Sequence, residues 1–245
     1  MNTNYFRGKR ILVTGACQGI GRGIALELWR NGATVVALSN QEANLKRLKA
    51  EYRSIETAAV DLTDWDRTRE VVEELGDFDG LVNCAGVCIT EPFLECSPRS
   101  FDITMSLNVK AILNVSQIVA SKMIVKKIKG AIVNISSQAS MAALANHTAY
   151  CASKAAVDSM TRVMALELGP HNIRVNSVNP TVIMTDLGRQ AWAEPVKANA
   201  MKSKIPLGRF GEVQEVVNVV VFLLSEGASL VSGTSLPVDG GFLAT

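Results

Sequence analysis

Thr14-Gly15-Ala16-Cys17-Gln18-Gly19-Ile20-Gly21 is the stretch whose reading decides the fold. It joins an apolar run, Arg10-Ile11-Leu12-Val13-Thr14, to a segment of helical length from Gly21 to Asn31. Glycines at a strand-to-helix junction permit a tight turn, and they let backbone amides approach a bound group at the positive end of the helix. A dinucleotide pyrophosphate suits such a turn, so Gly15, Gly19 and Gly21 are candidate cofactor contacts. The spacing is G-x-x-x-G-x-G rather than G-x-G-x-x-G, which meets the general fingerprint only in part. Its position on the first strand-helix turn of an alternating chain carries the rest.

Outward from that turn the alternation repeats. Thr34–Leu38, Glu56–Val60, Gly80–Asn83, Ala131–Ile135 and Arg174–Val178 read as further strands, short and nearly all apolar. Such strands suit a parallel sheet buried on both faces. Helix-length segments lie between them, among them Leu45–Tyr52, Asp64–Leu75 and Ser153–Leu168. The pattern predicts an α/β fold, a doubly wound parallel sheet flanked by helices with right-handed crossovers. No Gly/Pro-rich linker divides the chain, so residues 1–245 read as one domain. Pro180–Pro206 breaks the rhythm, and its Met184, Trp192 and Met201 suggest a wall over a substrate pocket. Thr234–Gly241 reads as a last short strand and turn whose apolar character suggests a subunit contact.

Composition narrows the partners. With 48% hydrophobic and 20% charged residues the chain has material for a filled core. A net charge of +2 gives no reason to expect nucleic acid or a membrane surface. Lys126-Lys127-x-Lys129 reads as a solvated helix end. Met1–Arg10 lacks the apolar core of a secretory signal, and no run of about 18 uninterrupted apolar residues suggests a bilayer span. Five cysteines without paired spacing, beside two histidines, point to reduced thiols, a cytoplasmic location and no metal site.

The end of the second strand bears on cofactor choice. An acidic residue there would bind an adenosine 2′-hydroxyl and repel a 2′-phosphate. The segment is Leu38-Ser39-Asn40-Gln41, without a carboxylate, which favours NADP (NADPH) over NAD. Ser39 and Asn40 can donate to phosphate, and Arg22 is the nearest candidate cation, with an exposed helix arginine as its plain alternative. Asp61-Leu62 fits the adenine edge, and Asn83-Cys84-Ala85-Gly86 puts small residues where backbone passes close to cofactor.

Together with the glycine turn and Asn83–Gly86, the residues Asn108, Ser137 and Tyr150-Cys151-Ala152-Ser153-Lys154 resemble the short-chain dehydrogenase/reductase family along essentially the whole chain. The resemblance implies a single Rossmann-type domain, a homotetramer and nicotinamide-dependent carbonyl/alcohol interconversion, with Asn108, Ser137, Tyr150 and Lys154 as catalytic tetrad. The chemistry agrees. Hydride addition to a ketone leaves an alkoxide that needs a proton, which Tyr150 can supply. Lys154 lies one helical turn on, and an ammonium about 4 Å away is worth ~4 kcal/mol, enough to bring a phenol from about 10 toward neutrality. Ser137, with Ser136 as competitor, would hold the carbonyl oxygen, and Asn108 would anchor a water linking Lys154 to solvent. Alone, each residue is ordinary: a Tyr-x-x-x-Lys pair is mostly surface decoration, and a serine after a strand is mostly a cap.

Gly130–Gln138, Asn146–Tyr150, Val163–His171 and Asn179–Thr185 are similar to the family's dicarbonyl/L-xylulose reductase branch. That similarity implies NADPH-dependent reduction of L-xylulose to xylitol and of small α-dicarbonyls such as diacetyl. It adds Gln18, Ile20, Pro180, Val182, Ile183 and Thr185 to the cofactor contacts, and Gln138, Leu144, His147 and Trp192 to the substrate pocket beside Ser137 and Tyr150. His147 has a plain alternative as a helix-start histidine. Two departures stand out: the branch's NADP-preferring members typically have lysine where Gln18 stands and arginine where Asn40 stands. Competing expectations are a 3-oxoacyl carrier-protein reductase, an NAD-linked alcohol dehydrogenase, or a cofactor-binding protein without turnover. The chain has no strong basic rim for an acidic carrier protein, and all four tetrad positions are intact.

Overall fold

The computed structural model describes residues 5–245, so the first four positions of the expected signal-free start lie outside it. Seven strands form one sheet in the order β3-β2-β1-β4-β5-β6-β7, every pair parallel. They are β1 (Arg10–Thr14), β2 (Thr34–Ser39), β3 (Glu56–Ala59), β4 (Gly80–Asn83), β5 (Ala131–Ile135), β6 (Arg174–Pro180) and β7 (Ser235–Val238). The helices are α1 (Gly19–Arg30), α2 (Glu42–Glu51), α3 (Trp65–Glu74), α4 (Pro98–Met105), α5 (Ala111–Val125), α6 (Thr148–Leu168), α7 (Asp186–Ala191), α8 (Pro195–Lys202) and α9 (Val213–Leu224).

Strand alternation explains why both faces are covered. Ile11, Val13, Val35 and Ala37 point into a layer with Ile24 and Leu28 of α1 and Val216, Val217 and Val220 of α9. Leu12, Val36 and Leu38 point the other way, onto Val72 of α3 and Val115, Val119 and Met123 of α5. Neighbouring residues on one strand thus serve different cores, and each fully buried Leu, Ile or Val contributes roughly 1.5–3 kcal/mol. α6 begins five residues before the expected Ser153, which brings Tyr150 onto the helix with Lys154.

α4 and α5 run into one another through a π turn at Ser106–Lys110. The resulting helix, Pro98–Val125, has the length and apolar character of a membrane span by composition, but 56% of its apolar window is buried inside the fold. Its Asn114 is buried and hydrogen-bonded to Trp65 and Arg69. α5 ends at Val125, and Lys126 and Lys127 are exposed at its close.

Candidate functional site

The strand order reverses direction between β1 and β4, and a crevice opens there at the carboxyl ends of the strands. Thr14 fixes its floor: its hydroxyl oxygen accepts from the backbone amides of Cys84 and Ala85 at 3.0 and 3.1 Å, tying the end of β1 to the loop after β4. Gly15 turns with φ +66°, and a Cβ there would stand 2.9 Å from the Ala85 backbone. A Cβ on Gly21 would overlap the Gly15 carbonyl oxygen. The turn therefore needs glycine at both places, one for conformation and contact, one for contact alone. α1 starts at Gly19 behind it, with uncharged Gln18 at its N-cap.

Two cavities open from the turn and share Gly15, Gln18, Ala85, Gly86 and Val87. The larger, about 410 Å³, runs over Gly19, Ile20, Gly21, Ser137, Tyr150, Lys154, Pro180, Ile183 and Thr185. The smaller, about 220 Å³, lies over Ser39, Asn40, Asp61 and Leu62. Such a divided crevice, with glycine backbone at its waist, fits a nicotinamide dinucleotide: pyrophosphate at the α1 N-terminus, adenosine in the smaller chamber, nicotinamide in the larger.

Tyr150 and Lys154 share one face of α6 over the end of β5. The phenol and the Ser137 hydroxyl line the same chamber, close enough for Ser137 to favour the phenolate, while the hydroxyl donates to Pro180 O at 3.5 Å. Ser137 also accepts from the Ala139 amide at 3.1 Å, capping a short 3₁₀ turn. Ser136, the competitor, turns its hydroxyl to the Lys154 carbonyl oxygen, so Ser137 is the serine beside the phenol. Behind this pair Asn179 of β6 donates to the Ser137 carbonyl oxygen (3.1 Å) and to the buried Asp158 carboxylate (2.8 Å), which also accepts from Ser177. A buried polar brace thus anchors the serine turn to α6 and β6.

Several expectations need correction. The anticipated lowering of the phenol by its lysine neighbour does not occur: burial pushes Tyr150 up to about 12, with the Ser137 hydrogen bond opposing it. The Lys154 ammonium is 5% exposed and donates to the Ile135 carbonyl oxygen at 2.8 Å, with the Tyr150 ring centroid 5.5 Å off. Burial brings it down to about 8. Asn108, within the π turn, spends both side-chain N–H donors on Val87 O and Ser153 Oγ, and its oxygen accepts from Val87 N with one lone pair to spare. It latches the loop after β4 to α6. Asn83, expected along the cofactor, is buried and donates to Ser116 and Asn134 because alternation turns it into the core.

Arg22 does not reach the adenosine chamber, because its guanidinium pairs with Glu51 and lies over the Tyr52 ring. Ser39 is buried, with its hydroxyl 3.0 Å from the Cys17 sulfur and accepting from the Gln41 amide. The Pro180–Pro206 segment divides: its first residues, among them Ile183, Thr185 and Leu187, wall the larger chamber as expected, while the rest packs into a small core of its own. Trp192 packs at a tilt of 56° against Phe210 with centroids 5.3 Å apart, and Val182, Met184 and Trp192 pack against Ala198, Met201 and Ile205. Consequently Val182 and Trp192 do not line the larger chamber, nor do Leu144 and His147, whose ring nitrogen faces Ala145 O at 2.6 Å. Gln138 is 2% exposed, with its Oε1 lacking a partner. Val87, Cys88, Thr181, Asp186 and Leu187 line the chamber without having been anticipated. Val87 and Cys88 follow the Asn83–Gly86 stretch directly, and reading that loop two residues further would have found them. Among the described residues no cluster of His, Cys, Asp or Glu is placed to hold a metal ion.

A family model described as enoyl-(acyl carrier protein) reductase matches residues 15–243. The L-xylulose reductase of Mesocricetus auratus is 52% identical over 238 residues, 97% of this chain and 98% of that protein. The D-erythrulose reductase of Gallus gallus is 51% identical over 240 residues, 98% of each. Among solved structures, a gluconate 5-dehydrogenase from Burkholderia cenocepacia in complex with NADP and tartrate superposes with a TM-score of 0.93 at 29% identity, covering 100% of this chain and 98% of the other.

Proposed function

The chain belongs to the short-chain dehydrogenase/reductase family, and on that premise we propose that it is a cytoplasmic reductase of small hydroxyketones and α-dicarbonyls, L-xylulose and diacetyl among them, with NADPH serving as reductant. The observation that carries the reading is the meeting of Tyr150, Ser137 and Lys154 in the chamber that opens from the glycine turn. Relatives about half identical over nearly their full length, named for ketose reduction, support the substrate class. A nicotinamide dinucleotide, when bound over the glycine turn, would supply hydride. The chain does the rest: Ser137 holds the carbonyl oxygen, and Tyr150, a neutral phenol at physiological pH, donates its proton to the oxygen as negative charge develops. An alkoxide is far more basic than a phenolate, so the transfer runs downhill even from a phenol held near 12. Lys154 then supplies the positive charge that steadies the phenolate until it is reprotonated.

Initial rates with L-xylulose and diacetyl test this, and turnover with neither would overturn it. Five free cysteines support the reducing compartment. A homotetramer is proposed from the family and from apolar side chains left exposed on the outer helices, Phe101 and Ile103 on α4, Leu113 on α5, and Val163 and Leu166 on α6. Sedimentation as a stable monomer would remove it.

A further inference from the structure

The adenosine chamber has an unusual charge balance. Asp61 is its one charged lining residue, and no lysine or arginine is among the described residues that line it. One oxygen of the Asp61 carboxylate, Oδ1, accepts from the amide and hydroxyl of Thr63 at 2.9 and 2.8 Å, and Asp61 follows the third strand rather than the second, where the ribose is read. The nearby guanidinium of Arg22 is held by Glu51. At the end of β2, where the ribose 2′-position is read, stand Ser39 and exposed Asn40, neither of them ionisable at neutral pH. The Ser39 hydroxyl is sequestered against Cys17.

We propose that this neutral site binds NADH and NADPH with similar affinity, so that the chain is a dual-cofactor reductase. The inference rests on the reading of the crevice as a nicotinamide dinucleotide site. A 2′-phosphate brings nearly two negative charges and gains selectivity from cations, which the lining does not offer. A 2′-hydroxyl gains selectivity from a carboxylate at the end of the second strand, which is equally lacking. What remain are the uncharged Asn40 and Gln18 carboxamides, whose NH₂ groups can donate to phosphate and whose oxygens can accept from a hydroxyl. Each cofactor therefore finds a neutral hydrogen bond and forgoes its charge-assisted one.

Direct binding tests this without reference to substrate. NADH and NADPH are titrated against the full chain by nucleotide fluorescence at low and at moderate salt. The expected result is two Kd values within tenfold of each other, with the NADPH value only weakly salt-dependent. Asn40→Arg is expected to tighten NADPH at least tenfold at low salt, with the gain shrinking as salt rises and NADH little changed. A wild-type preference beyond tenfold for either cofactor overturns the proposal, as does an Asn40→Arg variant that leaves the ratio unmoved. Binding of neither cofactor would instead overturn the nicotinamide reading on which the proposal stands. Binding of both with no turnover of L-xylulose or diacetyl would overturn the substrate assignment alone.

Discussion

The Lys154 ammonium donates to the Ile135 carbonyl oxygen, 2.8 Å away, while lying over the Tyr150 ring at 5.5 Å from its centroid. A carbonyl dipole is a weak substitute for water, which is why the buried ammonium is held down to about 8. Reduction that needs the charged form is expected to be constant below about pH 7 and to fall as pH rises through about 8. A rate profile still flat at pH 9 would contradict that role.

The same burial has a consequence for stability. Between about pH 8 and 10.5 the unfolded chain binds more protons at Lys154 than the folded one, so stability from this group rises with pH there and is lowest when the ammonium is charged. Lys154→Met is therefore expected to melt no lower than the parent at pH 7, while turnover falls by roughly 10²-fold or more. Thermal melts and initial rates on one preparation check both halves.

Tyr150 behaves oppositely. Its folded value of about 12 lies above the ordinary 10, so its contribution to stability is complete below pH 10 and is lost as pH climbs toward 12. The chain has three tyrosines. Ultraviolet titration of wild type and Tyr150→Phe is expected to give superimposable curves up to about pH 10, with reductase activity lost from the variant. An extra ionisation in the wild type near neutrality would show that the phenol is not held neutral.

At the glycine turn, Gly21→Ala is expected to weaken cofactor binding by roughly ten- to a hundredfold, since the added methyl overlaps the Gly15 carbonyl oxygen. Relieving that overlap by backbone movement costs on the order of 1–3 kcal/mol. Gly169→Ala, where a Cβ meets nothing within 4 Å, is the control and is expected to bind normally. Nucleotide titration and melting of the pair separate a local effect from a global one.

Asn179→Ala removes the donor to both the Ser137 carbonyl and the Asp158 carboxylate. Leaving a buried carboxylate short of one partner costs roughly 1–3 kcal/mol. The loosened Ser137 turn is expected to lower kcat by about tenfold or more, with cofactor affinity little changed. An unaltered kcat in a destabilised protein would mean that the brace supports the fold alone.

The sheet was legible because its rule is local. Leu12 and Val13 are adjacent, apolar and assigned to opposite cores, which is what a two-faced parallel strand requires. The Tyr150/Lys154 pairing was legible for the same reason, because four residues make one helical turn. Side-chain engagement across the fold was not. Asn108 is spent on Val87 and Ser153, 21 and 45 positions away, and Arg22 on Glu51, 29 positions away. Trp192 was expected at the substrate but found Phe210, an aromatic partner beyond the segment being read. Motif spacing specifies which residues can meet, while competition among neighbours decides which do.

The bond from Thr14 to the Cys84 amide spans 70 positions of chain. β1, α1 and β2 can form early from near neighbours, but the crevice has no second wall until β4 docks against β1 across that span. Closing so long a loop is a late and entropically costly step in assembly. The crevice that would hold a nucleotide is therefore complete only once the central strand pair has formed. Bound cofactor then raises the stability of chains that have completed the closure and does nothing for those that have not, so the cellular pool of nucleotide sorts finished molecules from unfinished ones.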